Sequence, residues 1–140
     1  MKKLVLLLLI ISGCTEEQKK DIESNFILNL MTNGEWKVKS FTQGATDKTA
    51  EFADYKFRFQ KTNKLDAISV SSGTTFSTAD WTADGVARTI YANFPSNANS
   101  TLLQINGTWK ITDSDIAGTY VVGNMTASNG EIKNVRLEKL

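Results

Sequence analysis

Five tight-turn dipeptides cut the chain after Glu35 into short runs: Thr62-Asn63, Ser72-Gly73, Asp84-Gly85, Asp113-Ser114 and Asn129-Gly130. Asn, Asp and Gly suit the left-handed or side-chain-bonded backbone of a tight turn. A turn that short joins only antiparallel neighbours. The runs between the turns are rich in Thr, carry aromatics interleaved with polar residues, and hold the single proline, Pro95. That texture fits half-buried strands. Eight strands are predicted, over residues 35–42, 55–60, 65–71, 74–81, 86–94, 102–111, 116–126 and 132–138. The second has the clearest period: Tyr55, Phe57 and Phe59 alternate with Lys56, Arg58 and Gln60. In the sixth, Leu103, Ile105, Trp109 and Ile111 share a face, and Gly107 marks a bend or bulge. Two connections are longer: residues 43–54, with a helical turn around 50–53, and the polar loop 95–101.

A meander of eight strands exposes two edges unless its first and last strands pair. Closure removes both edges, and an eight-stranded barrel has an interior that side chains fill or that holds one small ligand. The expected fold is therefore mainly β: an eight-stranded antiparallel up-and-down barrel preceded by one amphipathic helix. A curved open sheet with the helix in its concavity is the alternative. The helix is predicted over residues 15–31, with Ile22, Phe26, Ile27, Leu30 and Met31 on one stripe. Thr15 and Gln18 have capping-box spacing, and Asn33-Gly34 supplies the stop. In a shorter version, residues up to Lys20 are tether and the helix begins at Ile22.

The chain's 140 residues contain no histidine and one cysteine. The commonest general base and metal ligand is thus missing, and so are intrachain disulfides and Cys-rich zinc sites. No motif supports a Ser–Lys or paired-carboxylate enzyme, and no glycine-rich phosphate loop follows a strand, so the chain reads as no enzyme and needs no cofactor. With 16 Lys and Arg against 15 Asp and Glu, it also lacks the basic excess of a nucleic-acid binder.

The N-terminus reads as an address. A basic start, Lys2-Lys3, precedes eight apolar residues, 4–11. Eight helical residues reach about 12 Å where a bilayer core needs about 30 Å, so this run is a signal-peptide core and not a span. Ile11-Ser12-Gly13-Cys14 resembles the bacterial lipobox. That resemblance implies cleavage before Cys14 and acylation of Cys14, with the domain order 1–13 signal peptide, 14–20 acylated tether and 21–140 barrel with its helix. Removal of Lys2 and Lys3 leaves 14 basic against 15 acidic side chains, too near neutrality to hold anionic lipid by charge. The acyl chains then carry the membrane attachment, at about 0.8 kcal/mol per buried methylene. Thr15 stands where inner-membrane lipoproteins tend to carry Asp, which implies the outer membrane. Glu16 and Glu17 either resemble acidic surface-export signals or form a plain polar tether.

A helix followed by Asn33-Gly34-Glu35-Trp36 at the first strand resembles the Gly-x-Trp signature of the lipocalin superfamily. In that family the Trp packs at the closed end of the barrel beneath a basic residue of the last strand. The resemblance implies a structural Trp36–Arg136 pair here. The family's later Thr-Asp-Tyr turn is matched only in part, by Thr112-Asp113-Ser114.

Other motifs carry two readings each. Asp80 to Gly85 is similar to half of a calcium loop, but Tyr91 stands where the loop's closing Glu belongs, so a plain hairpin is the simpler reading and no metal is expected. Asp113 and Asp115 flank a turn. Asn99, Asn106 and Asn124 fit the glycosylation sequon, which has no weight in a bacterial lipoprotein. Tyr55, Phe57, Phe59, Trp109 and Tyr120 are expected to point inward, where they either line a pocket for a small apolar ligand or fill the core. Trp81 and Tyr91 are expected to face outward. Two functions follow: an outer-membrane-anchored lipocalin-like binder of a small apolar ligand, or a non-catalytic interaction module or inhibitor with an envelope protein partner.

Overall fold

Alternation in residues 55–60 places Phe57 and Phe59 on the buried face and Arg58 on the exposed face of one strand. The computed structural model describes the backbone of residues 16–140, and the side chains of Ile22 and of residues 25–140. The expected signal peptide, 1–13, and Cys14 lie outside the described residues. Helix α1 (Glu16–Thr32) leads into strands β1 (Trp36–Gln43), β2 (Thr46–Asp47), β3 (Tyr55–Phe59), β4 (Lys64–Ser69) and β5 (Thr75–Asp84). Then follow β6 (Thr89–Asn93), the single helical turn α2 (Ser100–Leu103), β7 (Gly107–Ser114), β8 (Tyr120–Thr126) and β9 (Ile132–Lys139). A 3₁₀ turn (Thr49–Phe52) precedes β3. Because α1 begins at Glu16, the described part of the expected 14–20 tether is helical.

Every pairing is antiparallel, from β3 to β9 each strand pairs with the next in sequence, β1 pairs with both β2 and β3, and β1 closes on β9 from Trp36↔Lys139 to Gln43↔Lys133. The result is the expected closed eight-stranded barrel, with β2 as a short added strand. The closing seam carries a bulge between Val38 and Ser40. On its other side β1 meets β3 at only two positions, Trp36↔Phe57 and Lys37↔Lys56, and then splays away. The 3₁₀ segment fills that gap. Phe41 donates to the Thr49 hydroxyl at 3.0 Å and accepts from the Lys48 amide at 2.8 Å, so the freed edge is satisfied at Phe41 by the turn and at Thr42 and Gln43 by β2.

Both ends of the barrel are plugged. At one end α1 sets Ile27 and Met31 into the interior, 4% and 0% exposed, and Leu30 lies against Gly118 of the β7–β8 loop. At the other, Phe52 of the 3₁₀ turn stacks on Phe41 at 4.7 Å, and Leu102 of α2 is wholly buried. Asn106 holds the connection over α2 in place: it accepts from the Phe94 amide at 2.6 Å and donates to the Phe94 carbonyl at 3.0 Å.

Several expectations need correction. The sixth predicted strand, 102–111, starts only at Gly107, because Asn99 caps a helical turn through the Leu102 amide at 3.0 Å. Gly107 takes φ +131 at that break. Residues 86–88 and 116–119 are turn and not strand, and Asp113-Ser114 belongs to β7 while Asp115 begins the turn. The apolar stripe of α1 divides: Ile27 and Met31 are buried, whereas Ile22 and Phe26 are 62% and 56% exposed. Trp81, expected outward, is wholly buried. Its ring meets Phe59 edge-on at 5.0 Å, and its indole N–H donates to the Gln60 carbonyl at 2.9 Å.

Candidate functional site

The barrel interior holds Phe57 and Phe59 from β3 and Trp109 from β7, three of the five aromatics expected there. Their strands deliver them by parity, and the Trp109 indole N–H is satisfied by the Ile105 carbonyl at 2.7 Å. Among them remains a cavity of about 70 Å³, lined wholly by nonpolar residues that include Met31, Leu65 and Val135. Sites for small organic ligands run to roughly 300–1,000 Å³. The residual space holds little beyond a few atoms, and an apolar void of this kind stays dry. The side chains themselves are the contents of the barrel.

The other two aromatics lie elsewhere. Tyr55 sits at the rim, half-buried, with its ring against Phe76 at 5.1 Å and its hydroxyl accepting from the Asn99 amide at 2.6 Å. Tyr120 lies on the outer face, because β8 turns Val121 and Gly123 inward and so its even-numbered positions outward. Its ring lies under the Arg136 guanidinium at 4.1 Å, and its hydroxyl donates to Asp113 at 3.1 Å. The Asp113 carboxylate raises the Tyr120 phenol above its ordinary value by accepting that proton and, after some desolvation, by its charge.

The expected Trp36–Arg136 pair is therefore not formed. Arg136 faces outward, between Tyr120 and Glu138, with which it pairs at 3.0 Å. The cation over the buried Trp36 ring is Lys139, at 5.3 Å. The register explains it: Trp36 opposes Lys139, so both point into the same end of the barrel. That signal is present in the sequence as a basic residue at the last position of the last strand. The Trp36 indole N–H donates to the Met31 carbonyl at 2.9 Å and so ties α1 to the barrel.

The buried polar chemistry is structural. Asp66, 6% exposed, accepts from Arg58 at 3.0 Å, Gln60 at 2.6 Å and Thr78 at 2.8 Å across three strands. Burial pushes this carboxyl up, but the bonds from Thr78, Arg58 and Gln60 outweigh it and hold it below its ordinary value. Asp115 is held low mainly by the Thr119 hydroxyl, with the Thr119 and Tyr120 amides also donating to it. Asp80 pairs with Lys64 at 2.5 Å, and Asp84 accepts from the Ala87 amide at 3.1 Å, so the calcium-like stretch is an ordinary hairpin. Lys133, inward at the α2 end, is lowered by burial and then by the Lys48 charge, and donates to the Gln104 carbonyl at 2.9 Å. Among the described residues no three His, Cys, Asp or Glu side chains gather as metal ligands, and no helix is long and apolar enough to cross a membrane.

A second cavity, about 270 Å³, lies at the α1 end of the barrel, between α1, the β5–β6 turn and β7. No pattern in the residue order marks it, since it depends on α1 leaving Ile22 and Phe26 uncovered.

No protein-family model matches the chain, and no curated protein matches it. Among solved structures it is similar to a DUF4847 family protein from Bacteroides vulgatus ATCC 8482, with a TM-score of 0.54 and 13% identity. The match covers 80% of this chain and 96% of that one. At that identity the likeness shows the fold, a mainly β closed barrel with few helices, and nothing further.

Proposed function

We propose that this chain is a non-catalytic envelope module, acylated at Cys14 and held at the outer membrane, that acts by binding through the outside of a filled lipocalin-like barrel. The observation that carries the reading is the interior volume. Only about 70 Å³ remains inside, far below the roughly 300 Å³ at which ligand pockets begin. The anchor rests on the lipobox-like Ile11-Ser12-Gly13-Cys14 and the apolar run before it. Metabolic labelling with a radioactive fatty acid tests it: the wild-type chain takes label and Cys14→Ser does not. Equal labelling of both refutes the anchor. Affinity capture of the lipidated protein from solubilised envelope should return a stoichiometric protein partner. Bait alone, in several detergents, counts against surface binding.

A second reading is favoured by the nonpolar lining around Phe57, Phe59 and Trp109. A small apolar ligand enters if α1 lifts Ile27 and Met31 out of the barrel end. Native mass spectrometry of gently extracted protein decides it, since a chain that always arrives empty excludes this mode.

A further inference from the structure

The 270 Å³ cavity beside α1 has an unusual division of chemistry. Ile22, Phe26 and Ile27 of α1 and Ile111 of β7 form apolar walls, and Arg88 and Ser114 supply its polar side chains. Ile22 and Phe26 are 62% and 56% exposed, so the groove opens along an apolar strip that no described residue covers. Arg88 is exposed in the β5–β6 turn, and among the described residues no carboxylate pairs with it. Its backbone sits at φ 55, a left-handed conformation that Gly or Asn occupies with less strain. A long cationic side chain held there at the mouth of an apolar groove, with no carboxylate partner among the described residues, is a feature that folding does not require.

We propose that this groove binds a single-chain amphiphile with an anionic head group. The chain lies along Ile22, Phe26, Ile27 and Ile111, and the carboxylate or phosphate meets the Arg88 guanidinium, whose planar fork matches either oxyanion. Ser114 adds a hydroxyl to the same lining. A groove of about 270 Å³ suits a short single chain. The site shares only Ile111 with the lining of the barrel interior and does not depend on acylation of Cys14.

Methyl-labelled full-length protein in zwitterionic nanodiscs, titrated with decanoate and watched at its isoleucine methyls, tests the site. Saturable shifts are expected at Ile22 and Ile27, with Ile90 and Ile105, which line only the interior, unmoved. Arg88→Asn relaxes the backbone and removes the charge, and should weaken decanoate at least tenfold, while Arg88→Lys retains part of it. Decanol should bind at least tenfold more weakly than decanoate. A decanoyl lysophosphatidate in place of decanoate reports the source: tighter binding of the phosphate points to a lipid head group, tighter binding of the acid to a free fatty acid. The proposal is overturned if no shift saturates, if only interior methyls move, or if decanol and Arg88→Asn match decanoate on the wild-type chain.

Discussion

Replacing Trp81 is the sharpest probe of how the barrel is filled, because Trp81 and Tyr91 look alike in sequence and differ completely in the structure. Trp81 is 0% exposed and Tyr91 is 43% exposed on the outer face of β6. Trp81→Ala deletes a ring packed edge-on against Phe59 and removes one of the two donors to the Gln60 carbonyl, the Asn63 amide at 3.1 Å remaining. Large-to-small changes of this kind cost about 3–5 kcal/mol. Domains of this size hold about 5–15 kcal/mol in total, so the Ala variant sits near the limit of folding. Trp81→Phe keeps one ring, loses one of the two hydrogen bonds to the Gln60 carbonyl and leaves part of the indole volume unfilled, at a cost of about 1–3 kcal/mol. Tyr91→Ala should stay within about 0.5 kcal/mol of the parent. Urea denaturation followed by far-ultraviolet circular dichroism reads all three without relying on indole emission. With a slope of about 2 kcal/mol per molar urea, Trp81→Phe lowers the midpoint by about 0.5–1.5 M and Tyr91→Ala by less than about 0.3 M. Equal midpoints for Trp81→Phe and Tyr91→Ala, or a Trp81→Ala loss under about 1 kcal/mol, would refute the inward placement of Trp81.

Three further outcomes are expected. The Asp66 carboxyl is lower folded than unfolded, so its contribution is present above its ordinary value of 3.8 and is lost as pH falls through the lower folded value. Asp66→Asn should therefore flatten the acid side of a stability–pH curve, and an unchanged acid slope would contradict the network. A double-mutant cycle on Tyr120 and Arg136 should give a coupling of about 0.5–1 kcal/mol in thermal or urea unfolding, while Trp36 and Arg136 give none. Gly107→Ala should destabilise: its φ is +131 and the added Cβ would lie 2.5 Å from the Met125 sulfur, so adding Met125→Ala recovers only the steric part in a melting experiment.

The legible parts of the chain are those where one parity is apolar and the other polar. Residues 55–59 are such a stretch, and Phe57 and Phe59 lie where the alternation puts them. In β5 the same signal was available but faint. Ala79, Trp81 and Ala83 alternate with Asp80, Thr82 and Asp84, yet two of the three apolar residues are small, and Phe76 carries the opposite parity. In β8, Tyr120 and Val122 compete with Val121 and Met125, and no count of residues along the strand decides between them. The pairing Val121↔Leu137 decides it, and Leu137 faces the cavity. Tyr120 is left outside, where Arg136 and Asp113 take up its two ends.

From the order of its residues alone, this chain is committed to hairpins: short runs, turn dipeptides and interleaved aromatics impose local antiparallel pairing, and the exposed edges of a meander favour closure. Which rings fill the barrel, which cation covers Trp36, and that Ile22, Phe26 and Arg88 share a groove were settled only by three-dimensional packing. The reason is that a one-residue difference in register reverses every side chain of a strand, and register between strands distant in sequence is fixed by the collective fit of the closed wall.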